Sequence, residues 1–387
     1  MSRVRCSALF LLLFAINSLA SAAERVDLTA SDGTKLKATF FSAGKPGPGV
    51  LLLHQCNRQR KVWDGLAQEL AASGINVLTL DLRGFGESGG IPADKATPQE
   101  AQEAQRKWPG DIDLAYQYLI SQPGVDSNRI GAGGASCGVN NSVQTARRHP
   151  QVKSLVLLSG NTDLNGRNFL RNDKNVPVFF AYADDDEFPQ SILAIQWMYS
   201  ITADPGKKLV SYSTGGHGSD IFAKHPDLPK RIVDWYVTTL IKTPGHATAS
   251  SPVATPENVQ VLDLLDQPDG PAKVEKMLAG RRNSDPKASL FDEAAVNFVG
   301  YEHLQSGDVK GAIEIFKLNV AAYPNSPNVY DSLGDGYLAD GQKELARQNA
   351  KKALELLPSD TTDPPQRRDG IKDSAEEKLK QLGDTPQ

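Results

Sequence analysis

Between Arg25 and Ile241 the chain alternates two kinds of segment, and this alternation limits the possible folds more than any other feature. GVLLLH (49–54) and INVLTLD (75–81) are short apolar runs with turn residues after them. RIGAGGAS (129–136), SLVLLSG (154–160), VPVFFAYA (176–183) and KKLVSYS (207–213) continue the series, and VDLTA and LKATFFS flank the turn SDGT ahead of it. Amphipathic runs lie between them: VWDGLAQELAASG (62–74), GDIDLAYQYLISQ (110–122) and RIVDWYVTTLI (231–241). A strand that is apolar on both faces must be covered on both. Strand–helix alternation meets that need with a mostly parallel sheet between helical layers. The fold class expected for residues 24–241 is α/β.

At 387 residues there is chain for more than one core. Residues 242–257, within KTPGHATASSPVATPEN, break every periodicity and read as a Pro/Ala/Ser/Thr-rich linker. Residues 258–387 show no strand pattern. Gly300, Leu304, Gly307, Ala312 and Pro324 recur 34 positions later as Gly334, Leu338, Gly341, Ala346 and Pro358. That period is the tetratricopeptide one, in which small residues let the two helices of a hairpin approach closely. The second copy carries the pattern well; the first is looser, with Val299, His303 and Asn319 at pattern positions. Val259–Leu265 and Pro271–Leu278 are expected to supply a degenerate third pair. Ile371, Ala375, Leu379 and Leu382 should form a one-faced closing helix. The linker predicts two separable units.

Residues 1–22 read as a signal peptide: Arg3 and Arg5, an apolar run too short to span a bilayer, then Ala20 and Ala22. The expectation is export to the periplasm or medium, with no membrane span after cleavage. A net charge of −4 gives no electrostatic case for nucleic acid.

Chemistry concentrates in GASCG, a G-x-S-x-G pentapeptide centred on Ser136, after a strand run and before a helix-like one. A serine on such a turn is held in a strained backbone with its hydroxyl aimed out of the sheet. The partners expected for it are an acid and then a histidine, in that chain order. Asp184, Asp185 and Asp186 close the VPVFFAYA strand, and His217 sits between glycines after the last strand. The loop after His54 is placed to form an oxyanion hole, with the N–H of Cys56 (or Gln55) facing that of Cys137. Gln55 and Arg58 are candidate substrate contacts, Arg58 and Arg60 for an anionic group. Convergence of two N–H groups on one oxygen would also bring Cys56 and Cys137 within disulfide reach. A bridge and a pair of buried free thiols remain alternatives.

On these residues, and on DLRGFGESGG (81–90), the region from about Asp32 to Ile241 resembles the α/β-hydrolase superfamily, nearest its dienelactone hydrolase-like branch. The resemblance places the acid at Asp186, with Asp185 second, and makes Asp81 and Arg83 structural. It implies a Ser136–Asp186–His217 esterase with no metal or organic cofactor. The dienelactone hydrolases themselves use cysteine where this chain has Ser136, and relatives usually carry glycine where it has Gln55. Such enzymes often insert a cap after the sixth strand; SGNTDLNGRNFLRNDKN is too short for one. The insertion IPADKATPQEAQEAQRKW is the candidate overhang. An open site suits small-molecule or polymer-linked esters. The helical part resembles repeat modules appended to exported bacterial hydrolases, which implies docking to a protein partner. A serine peptidase, or a binding protein acting through the repeats, are the alternatives.

Overall fold

The computed structural model describes residues 23–249, 251, 253–286 and 288–384, so the reading of residues 1–22 as a signal peptide lies outside the described residues. Eight strands form one sheet: β1 (Ala23–Thr29), β2 (Lys35–Phe41), β3 (Gly47–Leu53), β4 (Asn76–Leu80), β5 (Val125–Ala135), β6 (Val152–Leu158), β7 (Val178–Ala183) and β8 (Lys208–Tyr212). Their spatial order is β1-β2-β4-β3-β5-β6-β7-β8. The hairpin strand β2 runs antiparallel to β1 and β4, and every other pair is parallel.

Burial follows from position. β3, β4 and β7 are buried along their whole length, whereas the edge strand β1 hides only Val26 and Leu28. Within β3 the two-residue period divides the side chains between two cores. Leu51 and Leu53 face the core built by α2 (Pro98–Ser121), α3 (Cys137–Arg148), α4 (Leu164–Asn172) and α5 (Pro189–Ile201). Val50 and Leu52 face the core built by α1 (Asp64–Ala72) and α7 (Asp227–Tyr236), beside the short α6 (Ile221–Lys224). Helix α2 starts in the expected insertion with a capping box. Thr97 Oγ1 accepts from the Glu100 N–H, and Glu100 accepts from the Thr97 N–H at 2.8 Å. DLRGFGESGG is a buried ion-pair hub: Asp81 accepts from the Arg60 N–H and guanidinium, while Arg83 bonds Asp111 and Asp32.

Beyond the segment 243–256 the described chain is helical: α8 (Glu257–Leu265), α9 (Gly270–Arg282), α10 (Glu293–Ser306), α11 (Val309–Ala322), α12 (Pro327–Ala339), α13 (Lys343–Leu356) and α14 (Pro365–Gln381). Helices α12 and α13 begin 34 residues after α10 and α11. At Gly300 a Cβ would fall 2.4 Å from the Phe316 ring, so α10 and α11 meet only because that residue is glycine. Helix α14 turns Ile371, Ala375 and Leu379 onto Ala350 and Ala353 of α13.

The two parts are not independent. Trp197 of α5 is buried in the same cluster as Val259, Leu262, Leu265 and Val299 of the helical part, with Leu193 and Ile201 packed against it. Beside this apolar seam lies a buried cation. Arg167 on α4 grips Asp266 through Nε (2.7 Å) and Nη2 (3.0 Å) and reaches Glu302 through Nη1 (2.6 Å). Its guanidinium also lies 4.1 Å from the Trp197 ring centroid. His303 bonds Asp266 at 3.3 Å and Asp308 at 2.8 Å. The irregular first repeat thus has a physical reason: Glu302 and His303 serve the interface. The expectation of separable units is corrected, because a chain ending at the linker would bare Trp197 and leave Arg167 without its carboxylates.

Two outcomes follow for the seam. Arg167→Ala strands two buried carboxylates and should cost about 3–5 kcal/mol in chemical denaturation. Burial pushes the Glu302 carboxyl up to about 7 against the pull of Arg167. The carboxylates around His303 raise its pKa despite burial. Both groups bind protons more tightly folded than unfolded. The Glu302 contribution is therefore complete below its unfolded value, near 4.5, and is lost as pH rises through about 7, while that of His303 is complete below 6.5 and is lost above it. The melting temperature should fall between pH 6 and pH 8.5, and Glu302→Gln should flatten that slope.

Candidate active site

Ser136 occupies the turn between β5 and α3 with φ 53° and ψ −120°, one of three described non-glycine residues with positive φ. The glycines around it are forced. A Cβ on Gly134 would lie 2.1 Å from the Gly138 carbonyl oxygen, and one on Gly138 would lie 2.3 Å from that of Leu53. Any larger residue would push α3 off the sheet. A third glycine does similar work from outside the motif: a Cβ on Gly160, just past β6, would lie 2.5 Å from the Ser136 carbonyl oxygen. The Ser136 hydroxyl makes no hydrogen bond to the described residues, and Ser136 is partly exposed.

The acid and the histidine come together as expected. His217 Nδ1 lies 2.9 Å from each Asp186 carboxylate oxygen, and Asp186 Oδ1 accepts the Phe188 N–H at 2.8 Å. Both residues are buried. Since a carboxylate only accepts, Nδ1 carries the proton and Nε2 is the basic nitrogen. Asp185 takes another part: it accepts the Gly216 N–H at 2.7 Å and pairs with Lys224. Asp184 is exposed. The histidine loop packs beside the serine turn, for a Cβ on Gly218 would lie 3.2 Å from that of Ala135.

Gln55 differs from the expectation. It is fully buried, and its amide is turned to the framework. Oε1 accepts from the N–H and the hydroxyl of Ser219, both at 2.8 Å, and Nε2 donates to the His217 carbonyl at 3.3 Å. It ties the loop after β3 to the loop bearing the histidine, a contact glycine could not make. His54 holds the same loop from the other side. Its Nε2 accepts the Leu82 N–H at 3.0 Å, so Nδ1 carries the proton donated to the Gln55 carbonyl, and burial keeps its pKa low. Arg60 is also withdrawn, buried against Asp81, Glu87 and Thr39. Arg58 is half exposed and pairs with Asp220 at 2.8 Å on the rim of an open cleft of about 610 Å³. That cleft also takes in Cys56, Phe85 and, from the insertion, Ala93 and Asp94.

Cys56 and Cys137 are joined by a disulfide, with Cα atoms 5.9 Å apart. Of the two alternatives, the structure holds the bridge. Cys137 opens α3, where an N–H has no acceptor within the helix. Among the described residues no cluster of histidine, cysteine or acidic side chains could hold a metal. Phe188 is a site residue that sequence reasoning did not find. The Phe188 ring stands edge-on to His217 at 4.8 Å, and Asn161 follows the glycine behind Ser136.

The family profile for the alpha/beta hydrolase fold matches residues 48–195, a span holding Ser136, Asp186 and the loop after β3. The matched span runs from β3 to α5, the middle of the eight-stranded sheet. The chain is similar to the thiohydrolase aneE of Aspergillus aculeatus, 28% identical over 132 residues, covering 34% of this chain and 39% of that one. An uncharacterized protein of Mycobacterium tuberculosis is 31% identical over 150 residues, covering 38% of this chain and 49% of that one. The matched stretches thus span about two fifths to one half of these relatives. Among solved structures, an esterase of Pyrococcus furiosus superposes with a TM-score of 0.47 at 17% identity, over 58% of this chain and 93% of that one.

The bridge makes a direct prediction. Alkylating the unfolded, unreduced protein should leave Cys56 and Cys137 unmodified, and each should gain one adduct after reduction. Closing a loop of 81 positions contributes about 4.5 kcal/mol on chain entropy, so reduced protein should unfold at clearly lower denaturant.

Proposed function

We propose that this chain is an exported serine hydrolase that cleaves carboxylic esters through Ser136, His217 and Asp186. The observation that carries the reading is the pairing of His217 Nδ1 with both oxygens of Asp186, beside a serine held at positive φ. In this reading Nε2 takes the Ser136 proton as Oγ attacks the acyl carbonyl. The tetrahedral oxyanion is received by the N–H groups of Cys56 and Cys137, each worth on the order of 3 kcal/mol. The imidazolium then protonates the departing alcohol, leaving an acyl-serine. Water, deprotonated by the same Nε2, releases the acid and restores Ser136. Asp186 keeps the imidazole in the required tautomer and stabilises its cation.

A thioester is the second substrate class, favoured by the thiohydrolases among the relatives. The mechanism is unchanged, with a thiol as leaving group. Within the superfamily we keep the dienelactone hydrolase-like placement, on DLRGFGESGG and on the single short helix α4 where a cap would enter. We read the helical part as tetratricopeptide-like on its 34-residue helix spacing. The disulfide fits an oxidising compartment and so favours export.

A fluorophosphonate probe should label the wild type at Ser136, and Ser136→Ala should abolish both labelling and ester turnover, by a hundredfold or more, in a folded protein. Turnover above about a hundredth of wild type in that variant would reject the assignment. Asp186→Asn should reduce kcat far more than Asp185→Asn. The reverse ranking would move the acid by one residue.

A further inference from the structure

The seam between the hydrolase-fold unit and the helical part encloses a groove of about 370 Å³, within the range of small-ligand sites. Leu193, Ala194 and Trp197 of α5 form one wall; Ala294, Ala295 and Phe298 of α10 form the other. No charged side chain lines it. Two of its lining segments are chain neighbours of residues at the candidate active site. Asn161 lines its head and directly follows Gly160, whose backbone is packed on Ser136. Gln190 and Ser191, also in the lining, begin the helix that follows Phe188, the residue set edge-on to His217. Phe188 and Phe298 are 48% and 50% exposed, among the few large apolar side chains that the described structure leaves to water. Apolar area of that kind beside a reactive serine is ready to be covered by ligand.

We infer that this groove is the acyl-binding subsite, so that the helical part builds one wall of the substrate site and selects apolar acyl groups of medium length. The inference rests on the serine-hydrolase reading and adds the substrate class to it. The cleft beside Cys56, lined by Arg58, Lys61 and Asp94, is charged and open, and suits the departing polar group. During turnover the acyl group stays bound to Ser136 while the alcohol leaves. The enclosed apolar groove is therefore the better match for the part that must be retained.

The test is a series of p-nitrophenyl esters from acetate to octanoate, with a second series varying the alcohol at constant acyl group. In the wild type kcat/KM should rise with acyl length, by up to about fourfold per methylene. Ala294→Trp, which fills the groove, should lower the octanoate-to-acetate ratio at least tenfold. Phe298→Ser, at a half-exposed position that the fold does not need, should lower it severalfold and serves if the tryptophan variant fails to fold. Lys343→Ala, on the exposed surface of α13, should leave the ratio unchanged. A ratio indifferent to both groove variants, or an effect on alcohol length instead of acyl length, would overturn the inference while leaving the serine hydrolase standing. A wild type that turns over no ester and takes no fluorophosphonate would overturn both.

Discussion

Three backbones meet at Ser136, and the rest of the site depends on how closely they do so. Strand β5 enters the turn, α3 leaves it, and the end of β3 passes near enough that only glycine fits at Gly134 and Gly138. That approach brings Cys137, at the start of α3, within bridging distance of Cys56 on the loop after β3. It also sets Gln55 where its side chain can hold the histidine loop. One steric constraint thus places the proposed nucleophile, oxyanion donors and base. The disulfide and the Gln55 amide then lock loops that would otherwise be free to drift. On the proposed mechanism small errors of placement matter, because the donors must be aimed at a developing charge.

A second constraint couples the site to the helical part. Arg167 is buried on α4, in the segment where related folds insert a cap, and it is neutralised by Asp266 and Glu302 from beyond the linker. Removing either side leaves buried charge without a partner, which penalises separation of the two parts. The helical part is therefore fastened to α4 and α5, and the linker spans a joint whose two faces are already committed to each other.

Much of this was legible beforehand. Alternating apolar strands and amphipathic helices pointed to the doubly covered sheet, because a strand buried on both faces has few other homes. G-x-S-x-G between a strand and a helix marked the turn, and the 34-residue recurrence of Gly300 and Ala312 marked the helical pairs. His217 stood out as a histidine between glycines after the last strand. The choice among Asp184, Asp185 and Asp186 was not open to composition, since it depends on which carboxylate a strand end turns inward: Asp186 is buried on His217, and Asp185 points to Gly216 and Lys224. Gln55 showed only as a residue in an unusual place. Its role needs Ser219, which is 164 positions away.

The sequence by itself determined the local elements, the motif that bends the chain at Ser136 and the identities of the candidate reactive groups. These follow from periodicity and steric demand over a few residues. Tertiary structure alone decided that Arg60 and Gln55 are committed to the framework, and that the helical part is fastened to the hydrolase-fold unit. Those outcomes turn on burial and on partners tens to hundreds of positions apart. A buried charge such as Arg167 looks the same in sequence as a solvated one, until the fold brings Asp266 and Glu302 to it.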